Sequence, residues 1–358
     1  MTNKPILFNM TPGELEHFIA GLGQPKFRAK QIAEWMGRGA PDFSVMKNLP
    51  EILRAQLSAS ARTLPIQIVK KLESSDGQTT KFLLELQDGE VVETVLMKTT
   101  YGNSVCVSSQ AGCAMGCKFC ASTLLGLKRN LTMNEMVSQI LAALWELRAA
   151  IFSPRASRPN GDPNNFDVSH IVVMGTGEPL QNIENLKGFL EYANAHLGIS
   201  WRRMTVSTCG LVPGINGLSD WGRPINLAIS LHAPNDDLRN QIMPVNRKYP
   251  VAQVLDAAFA HSAKTGRQLM IEYILLAELN DLPEHALALA ELLKGRNCMV
   301  NIIPWNNVAE REFAAPSGNA VHRFQDILIN NGIHARIRRE RGADISSACG
   351  QLRLNNSI

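Results

Sequence analysis

Between Leu15 and Met36 the apolar positions recur three and four residues apart: Leu15, Phe18, Ile19 and Leu22 form one set, and Ile32, Trp35 and Met36 a second. That is the period of helices with one buried face. Thr11-Pro-Gly-Glu14 supplies a capping box with proline at the first helical position, and Gly23-Gln-Pro25 separates the two helices. Residues 1–65 therefore read as helical. From about 66 to 99 the period drops to two. Thr79–Leu86 and Glu90–Met97 alternate on either side of Asp88-Gly89, which predicts a β-hairpin. After Tyr101-Gly102, short apolar runs alternate with helical or turn-rich stretches. The strand candidates are Ser104–Ser108, His170–Met174, Arg203–Ser207, Ile225–Leu231, Gln268–Leu275, Met299–Ile303 and Ile333–Arg338. The best helix runs from Thr132 to about Ala150. It opens on the capping box Thr132-Met-Asn-Glu135 and buries Met136, Ile140, Leu144 and Leu147.

Six or so such βα units predict an α/β fold with an open or partial parallel barrel, whose chemistry gathers at the C-terminal strand ends. The expected organisation is a helical accessory domain over 1–65, a β-hairpin extension over 66–100, the barrel over 101–345 and a terminal segment over 346–358. Ser153 to Asp167 reads as a surface loop. No apolar run is long enough for a bilayer, and Met1-Thr-Asn-Lys4 lacks a signal-peptide core, so a cytoplasmic protein is expected. Seven cysteines suit reduced thiols and metal ligation better than a disulfide framework. A net charge of +4 is compatible with a polyanionic partner and ordinary for an enzyme.

The densest chemistry is Cys113-Ala-Met-Gly-Cys117-Lys-Phe-Cys120, a C-x3-C-x2-C spacing. Thiolates are the usual ligands of a four-iron, four-sulfur cluster, and three of them leave one iron open for a small chelating molecule. This spacing matches the radical S-adenosylmethionine (SAM) signature. A zinc site lacking its fourth ligand competes with it, although no second C-x2-C or H-x3-H occurs. Strand ends add polar groups. His170–Met174 runs into Gly175-Thr-Gly-Glu-Pro179, which resembles the motif that holds the SAM amino group. Arg203–Ser207, Ser230-Leu231-His232 and Pro304-Trp-Asn306 end in hydroxyls, a histidine and an amide. Lys26, Arg28 and Lys30 at a helix entrance, and Arg336, Arg338, Arg339 and Arg341 near the C-terminus, suit either solvent or an RNA backbone. Read alone, Cys349, Cys209 and Cys298 are small buried hydrophobes, Cys106 is a core residue and Glu93 a solvent-facing strand carboxylate.

Cys106-Val-Ser-Ser-Gln110, the three-cysteine stretch, Gly126-Leu-Lys-Arg-Asn-Leu131, Gly175–Pro179, Ser230–His232, Pro304–Asn306 and Ala348-Cys-Gly-Gln-Leu352 together resemble the RlmN/Cfr family over nearly the whole chain, Gly23–Gln31 included. The resemblance implies a partial (β/α)6 radical-SAM barrel with an N-terminal helical domain. It also implies methylation of C2 of a peptidyl-transferase-centre adenine in 23S rRNA and of an anticodon-loop adenine in tRNA. It assigns Cys113, Cys117 and Cys120 to the cluster, and Gly177, Glu178, Ser207, Ser230, Leu231, His232 and Asn306 to SAM. Cys349 would take a methyl from one SAM, and a 5′-deoxyadenosyl radical from a second would activate it. Cys106 would release the product through a transient disulfide, with Glu93 as proton acceptor. Lys26, Arg28, Lys30, Arg338, Arg339 and Arg341 become RNA contacts. A flavodoxin- or ferredoxin-like electron donor and a monomer are also expected.

Three departures stand out: Thr176 replaces a common methionine, Ser346-Ser347 replaces Asp-Ala, and six residues follow Leu352 where some members carry a basic extension. The last leaves the balance of rRNA against tRNA open. Three alternatives remain: C8 methylation of the same adenine as in the Cfr branch, activation of a protein glycyl radical, and a non-catalytic RNA-binding protein with a structural metal.

Overall fold

The computed structural model describes residues 4–152, 167–338, 341–347 and 350–352, without the side chains of 149–152. The predicted loop over 153–166, Arg339 and Cys349 lie outside the described residues.

Three helices come first: α1 (Pro12–Gly21), α2 (Phe27–Gly37) and α3 (Glu51–Ser60). The capping box at Thr11 forms as the sequence predicts, with Glu14 accepting from the Thr11 amide at 2.8 Å. Leu15, Ile19, Ile32, Met36, Leu53 and Leu57 make a core of their own, joined to the rest through half-buried Phe8 and Trp145.

Next come β1 (Ile66–Glu73), β2 (Thr79–Leu86), β3 (Val91–Thr99) and β4 (Gly102–Cys106), an antiparallel meander. Only its middle turn was legible, because β1 carries a register irregularity between Ile68 and Lys70 that spoils the alternation. Beyond the short strands β5 (Gln110–Gly112) and β6 (Leu127–Asn130), which pair with each other, the chain adds β7 (Val168–Val173), β8 (Met204–Thr208), β9 (Asn226–Ser230), β10 (Leu269–Leu275), β11 (Cys298–Pro304) and β12 (Ala335–Ile337), and the meander continues into one ten-stranded sheet of order β1-β2-β3-β4-β7-β8-β9-β10-β11-β12. Within this sheet every pairing from β4 to β12 is parallel.

Six helical crossovers link these seven strands: α4 (Met133–Phe152), α5 (Ile183–Leu197), α6 (Val212–Trp221), the pair α7 (Asp236–Ile242) and α8 (Val251–Thr265), α9 (Pro283–Leu293) and α10 (Gly318–Asn330). The result is an open (β/α)6 sheet. Strands covered on both faces read as apolar runs, and β8 to β11 do so except at a few polar positions. Helix α4 keeps its predicted cap and buries Met136, Ile140, Leu144 and Leu147. Among the described residues no helix is long and apolar enough to cross a membrane.

Candidate active site at the strand ends

A two-stranded hairpin, β5 (Gln110–Gly112) with β6 (Leu127–Asn130), was not foreseen, and it brackets the cysteine loop. Gly112 closes its base: φ is +77°, and a Cβ there would lie 1.9 Å from the Gly126 carbonyl oxygen. Inside the loop the backbone is tied from several directions. Trp305 donates to the Phe119 carbonyl at 3.2 Å, Arg311 to the Cys120 carbonyl at 2.9 Å, and Thr123 to the carbonyls of Cys117 and Cys120. Arg311 was not singled out in the sequence. It is a clamp on the loop.

Cys113, Cys117 and Cys120 line one cleft with Gly177, Glu178, Ser207, Ser230, His232 and Glu272. The cleft encloses about 870 Å³ of space between atoms, open solvent at its mouth included. Burial raises the Cys113 thiol to about 12 and pushes the Cys117 thiol well up too. Without metal these groups stay protonated; iron would bind them as thiolates. Three soft sulfur donors facing one cavity suit an iron–sulfur cluster. Among the described residues no three His, Cys, Asp or Glu side chains converge on a single ion.

Glu178 is buried. Its Oε1 accepts from the Leu180 amide at 3.0 Å and its Oε2 from the Cys209 amide at 2.8 Å. Burial raises its pKa, while those amide bonds oppose the rise. Gly177 stands at φ +113°, with a hypothetical Cβ 2.6 Å from Gln110, so only glycine lets the chain pass. Of the seven SAM candidates, the cleft gathers Gly177, Glu178, Ser207, Ser230 and His232. Leu231 is wholly buried and does not line the cleft, and Asn306 lines the neighbouring cavity.

The register explains a polar row that the sequence reading missed. Ser230, Glu272, Asn301 and Arg336 are direct partners on β9 to β12. The Ser207 and Ser230 hydroxyls are 3.5 Å apart, Asn301 donates to Glu272 at 2.6 Å, and Arg336 donates to Asn301 at 2.7 Å. A lone acid within apolar Leu269–Leu275 was the available signal.

Arg239 was also missed. It is fully buried and donates to the carbonyls of Leu231 at 3.0 Å, Cys209 at 2.6 Å and Ser230 at 3.2 Å, fastening the ends of β8 and β9. Arg239→Leu leaves those acceptors without a donor. It should lower unfolding stability by about 3 kcal/mol in urea titrations.

His232 sits at φ +61° and accepts the Ile274 amide on Nδ1 at 3.0 Å. Burial, aided by Arg239, holds its pKa at about 3. The folded state therefore refuses a proton that the unfolded chain takes up below about pH 6.5. Stability is intact above that pH and falls as pH drops toward 3, by up to about 1.4 kcal/mol per unit. His232→Asn keeps an acceptor for Ile274 and should lose about 2 kcal/mol less than wild type between pH 6.5 and 5 in denaturant titrations.

A second cavity adjoins the first, sharing Met174, Ile303 and Arg338, and holds Cys106, Asn306, Arg341, Ser347 and Leu352. Cys106 pairs with Val95 across β3 and β4. Glu93, two residues from Val95, lies on the same face. It is 1% exposed and 3.1 Å from Lys81 Nζ, so the solvent-facing reading is corrected: this face is covered. The described parts of the C-terminal segment cross this mouth. Asp344 accepts from the Ser75 amide at 2.8 Å, the Gly350 carbonyl accepts from the Ala121 amide at 2.8 Å, and the Leu352 carbonyl from Ser122 at 2.6 Å. Gly350 also lines the cysteine cleft.

The basic candidates separate. Arg338 is part-buried between the cavities, 3.5 Å from Glu272, and Arg341 donates to the Lys98 carbonyl. Lys26, Arg28 and Lys30 lie on the N-terminal helices, Arg28 over the Phe27 ring. Cys209 borders the cleft, and Cys298 is buried on β11.

Comparison with known proteins settles the class. A family model, the ribosomal RNA large subunit methyltransferase N-terminal domain, matches residues 6–63. A “Probable dual-specificity RNA methyltransferase RlmN” of Desulforamulus reducens is 46% identical, covering 98% of this chain and 96% of its own. A protein of the same name from Symbiobacterium thermophilum is 47% identical over 96% of this chain and 90% of its own. This chain belongs to the RlmN family. The crystal structure of a radical SAM methyltransferase from Sphaerobacter thermophilus agrees with it, at a TM-score of 0.83 and 42% identity, covering 97% of this chain and 99% of that one. An RlmN-family chain is a radical-SAM RNA methyltransferase, and its class implies a 4Fe–4S cluster and SAM. The partial-barrel expectation is met.

Proposed function

We propose that the enzyme methylates C2 of a peptidyl-transferase-centre adenine in 23S rRNA, and C2 of an anticodon-loop adenine in tRNA. The observation that carries this reading is the pair of adjoining cavities, one lined by the three cluster-type cysteines and the other by Cys106, with described parts of the C-terminal segment facing both. The name shared by the relatives supports two RNA substrates.

Cys113, Cys117 and Cys120 would hold the cluster, and Gly177, Glu178, Ser207, Ser230, Leu231, His232 and Asn306 would surround SAM. When bound, cluster and SAM supply the 5′-deoxyadenosyl radical that takes a hydrogen from a methylated thiol. The chain's own residues do the rest. The Cys349 thiolate attacks the methyl carbon of SAM, and S-adenosylhomocysteine leaves as a neutral thioether. Its activated carbon bonds to C2, a position too electron-poor to attack SAM itself. Glu93 takes the ring proton. Cys106 then attacks the Cys349 sulfur, forming a disulfide as the carbon–sulfur bond breaks; the electron pair stays with the carbon, which takes a proton from water to become the methyl group, and the unpaired electron left by radical addition would return to the bound cluster. The placement of Ser347 and Gly350 on either side of Cys349 supports its role.

The remaining assignments belong to the same reading: residues 1–65 as an RNA-binding unit with Lys26, Arg28 and Lys30, Arg338, Arg339 and Arg341 as further RNA contacts, a flavodoxin- or ferredoxin-like donor, and a cytoplasmic monomer. The test is the position of the methyl group in RNA treated with reconstituted enzyme, read by mass spectrometry of nucleosides. 2-Methyladenosine in rRNA and tRNA fragments is expected; 8-methyladenosine overturns the C2 assignment.

A further inference from the structure

Lys81 on β2 is nearly inaccessible, its side chain 6% exposed, although it takes the face opposite the core residues Phe82, Leu84 and Leu86. Its Nζ lies 3.1 Å from Glu93 Oε1 and donates to the Ser346 carbonyl at 3.0 Å. A buried carboxylate without a neighbouring cation takes up a proton rather than bear the cost of desolvation, and a protonated carboxyl cannot serve as a base. An ammonium group at hydrogen-bond distance reverses that preference. The second contact joins the same cation to the C-terminal segment three residues before Cys349, and Asp344 on the Ser75 amide fixes that segment beside β2.

We infer that Lys81 is a positioning residue: it keeps Glu93 ionised and fixed in direction, and couples that carboxylate to the segment that carries Cys349. The inference rests on the proposed role of Glu93 as proton acceptor. Lys81 touches neither RNA nor SAM in this account and acts through Glu93. Its consequence is a division between half-reactions. Methyl transfer from SAM to Cys349 needs no base at Glu93, whereas loss of the ring proton does.

The experiment compares Lys81→Met, Lys81→Arg and Glu93→Gln in full-length, cluster-reconstituted enzyme. Two products are read separately: the methylated Cys349 peptide by mass spectrometry, and methylated RNA. For Lys81→Met the expected result is Cys349 methylation within about twofold of wild type, with RNA methylation reduced at least about tenfold. Protein–RNA species that survive denaturing electrophoresis should accumulate, as in Glu93→Gln. Lys81→Arg, which keeps the charge, should recover part of the RNA product. Wild-type RNA methylation by Lys81→Met overturns the inference. So does loss of both half-reactions in a variant whose circular dichroism matches wild type, because Lys81 then serves the segment and not the base. Normal RNA methylation by Glu93→Gln, by contrast, removes Glu93 from the mechanism, which is a failure of the underlying reading.

Discussion

Alanine at Cys117 is expected to abolish RNA methylation, a loss of roughly a thousandfold or more, while the fold survives. The thiol is buried against Phe119, Ile242 and Met243, so its removal leaves a small apolar gap. Cysteine to alanine deletes one sulfur, and the stability cost is about 1 kcal/mol. The effect on the site is of another order, because burial pushes the thiol pKa well up and a bound metal would be what holds the sulfur as a thiolate. Iron and sulfide content after anaerobic reconstitution, measured beside circular dichroism, separates the two effects. Full cluster loading in the variant would remove Cys117 from the ligand set.

The second large effect is a contrast between two cysteines that a simple thiol count treats alike. Cys349→Ala should stop the reaction before any carbon leaves SAM for the protein, giving neither a methylated peptide nor a covalent RNA species. Cys106→Ala should permit the first transfer and stop before release, leaving RNA attached to the protein. Both variants should lower RNA methylation by at least about a thousandfold. Isotope-labelled SAM followed into protein, adduct and RNA distinguishes them. Equal labelling of RNA by Cys106→Ala and wild type would dismiss the resolving role. Cys106 is suited to that step by its place at the end of β4, where its side chain opens into the second cavity beside Ser347 and Leu352.

What could be read in advance was local. The capping boxes at Thr11 and Thr132, the strand runs after Tyr101 and the cysteine spacing each depend on residues a few positions apart, and each is present as expected. What escaped depends on register and on distant chain. Glu93 looked solvent-facing because the alternation of β3 says which side a residue takes, not what covers that side. Its partner Lys81 and the carbonyl of Ser346 arrive from elsewhere. Glu272, Asn301 and Arg336 lie dozens of residues apart and meet only because β10, β11 and β12 align them. Arg239 and Arg311 gave no signal in the sequence, because composition does not reveal that an arginine spends its donors on backbone carbonyls.

The contacts that fasten the C-terminal segment span 269 residues from Ser75 to Asp344, 265 from Lys81 to Ser346 and 230 from Ser122 to Leu352. During synthesis the helical unit, the meander and the cysteine loop emerge first and begin folding before those partners exist. The cysteine loop can therefore be shaped while its cleft still lacks this cover. Pinning Asp344, Ser346 and Leu352 is a late event in the life of the nascent chain, so assembly order itself separates formation of the loop from completion of the mouth.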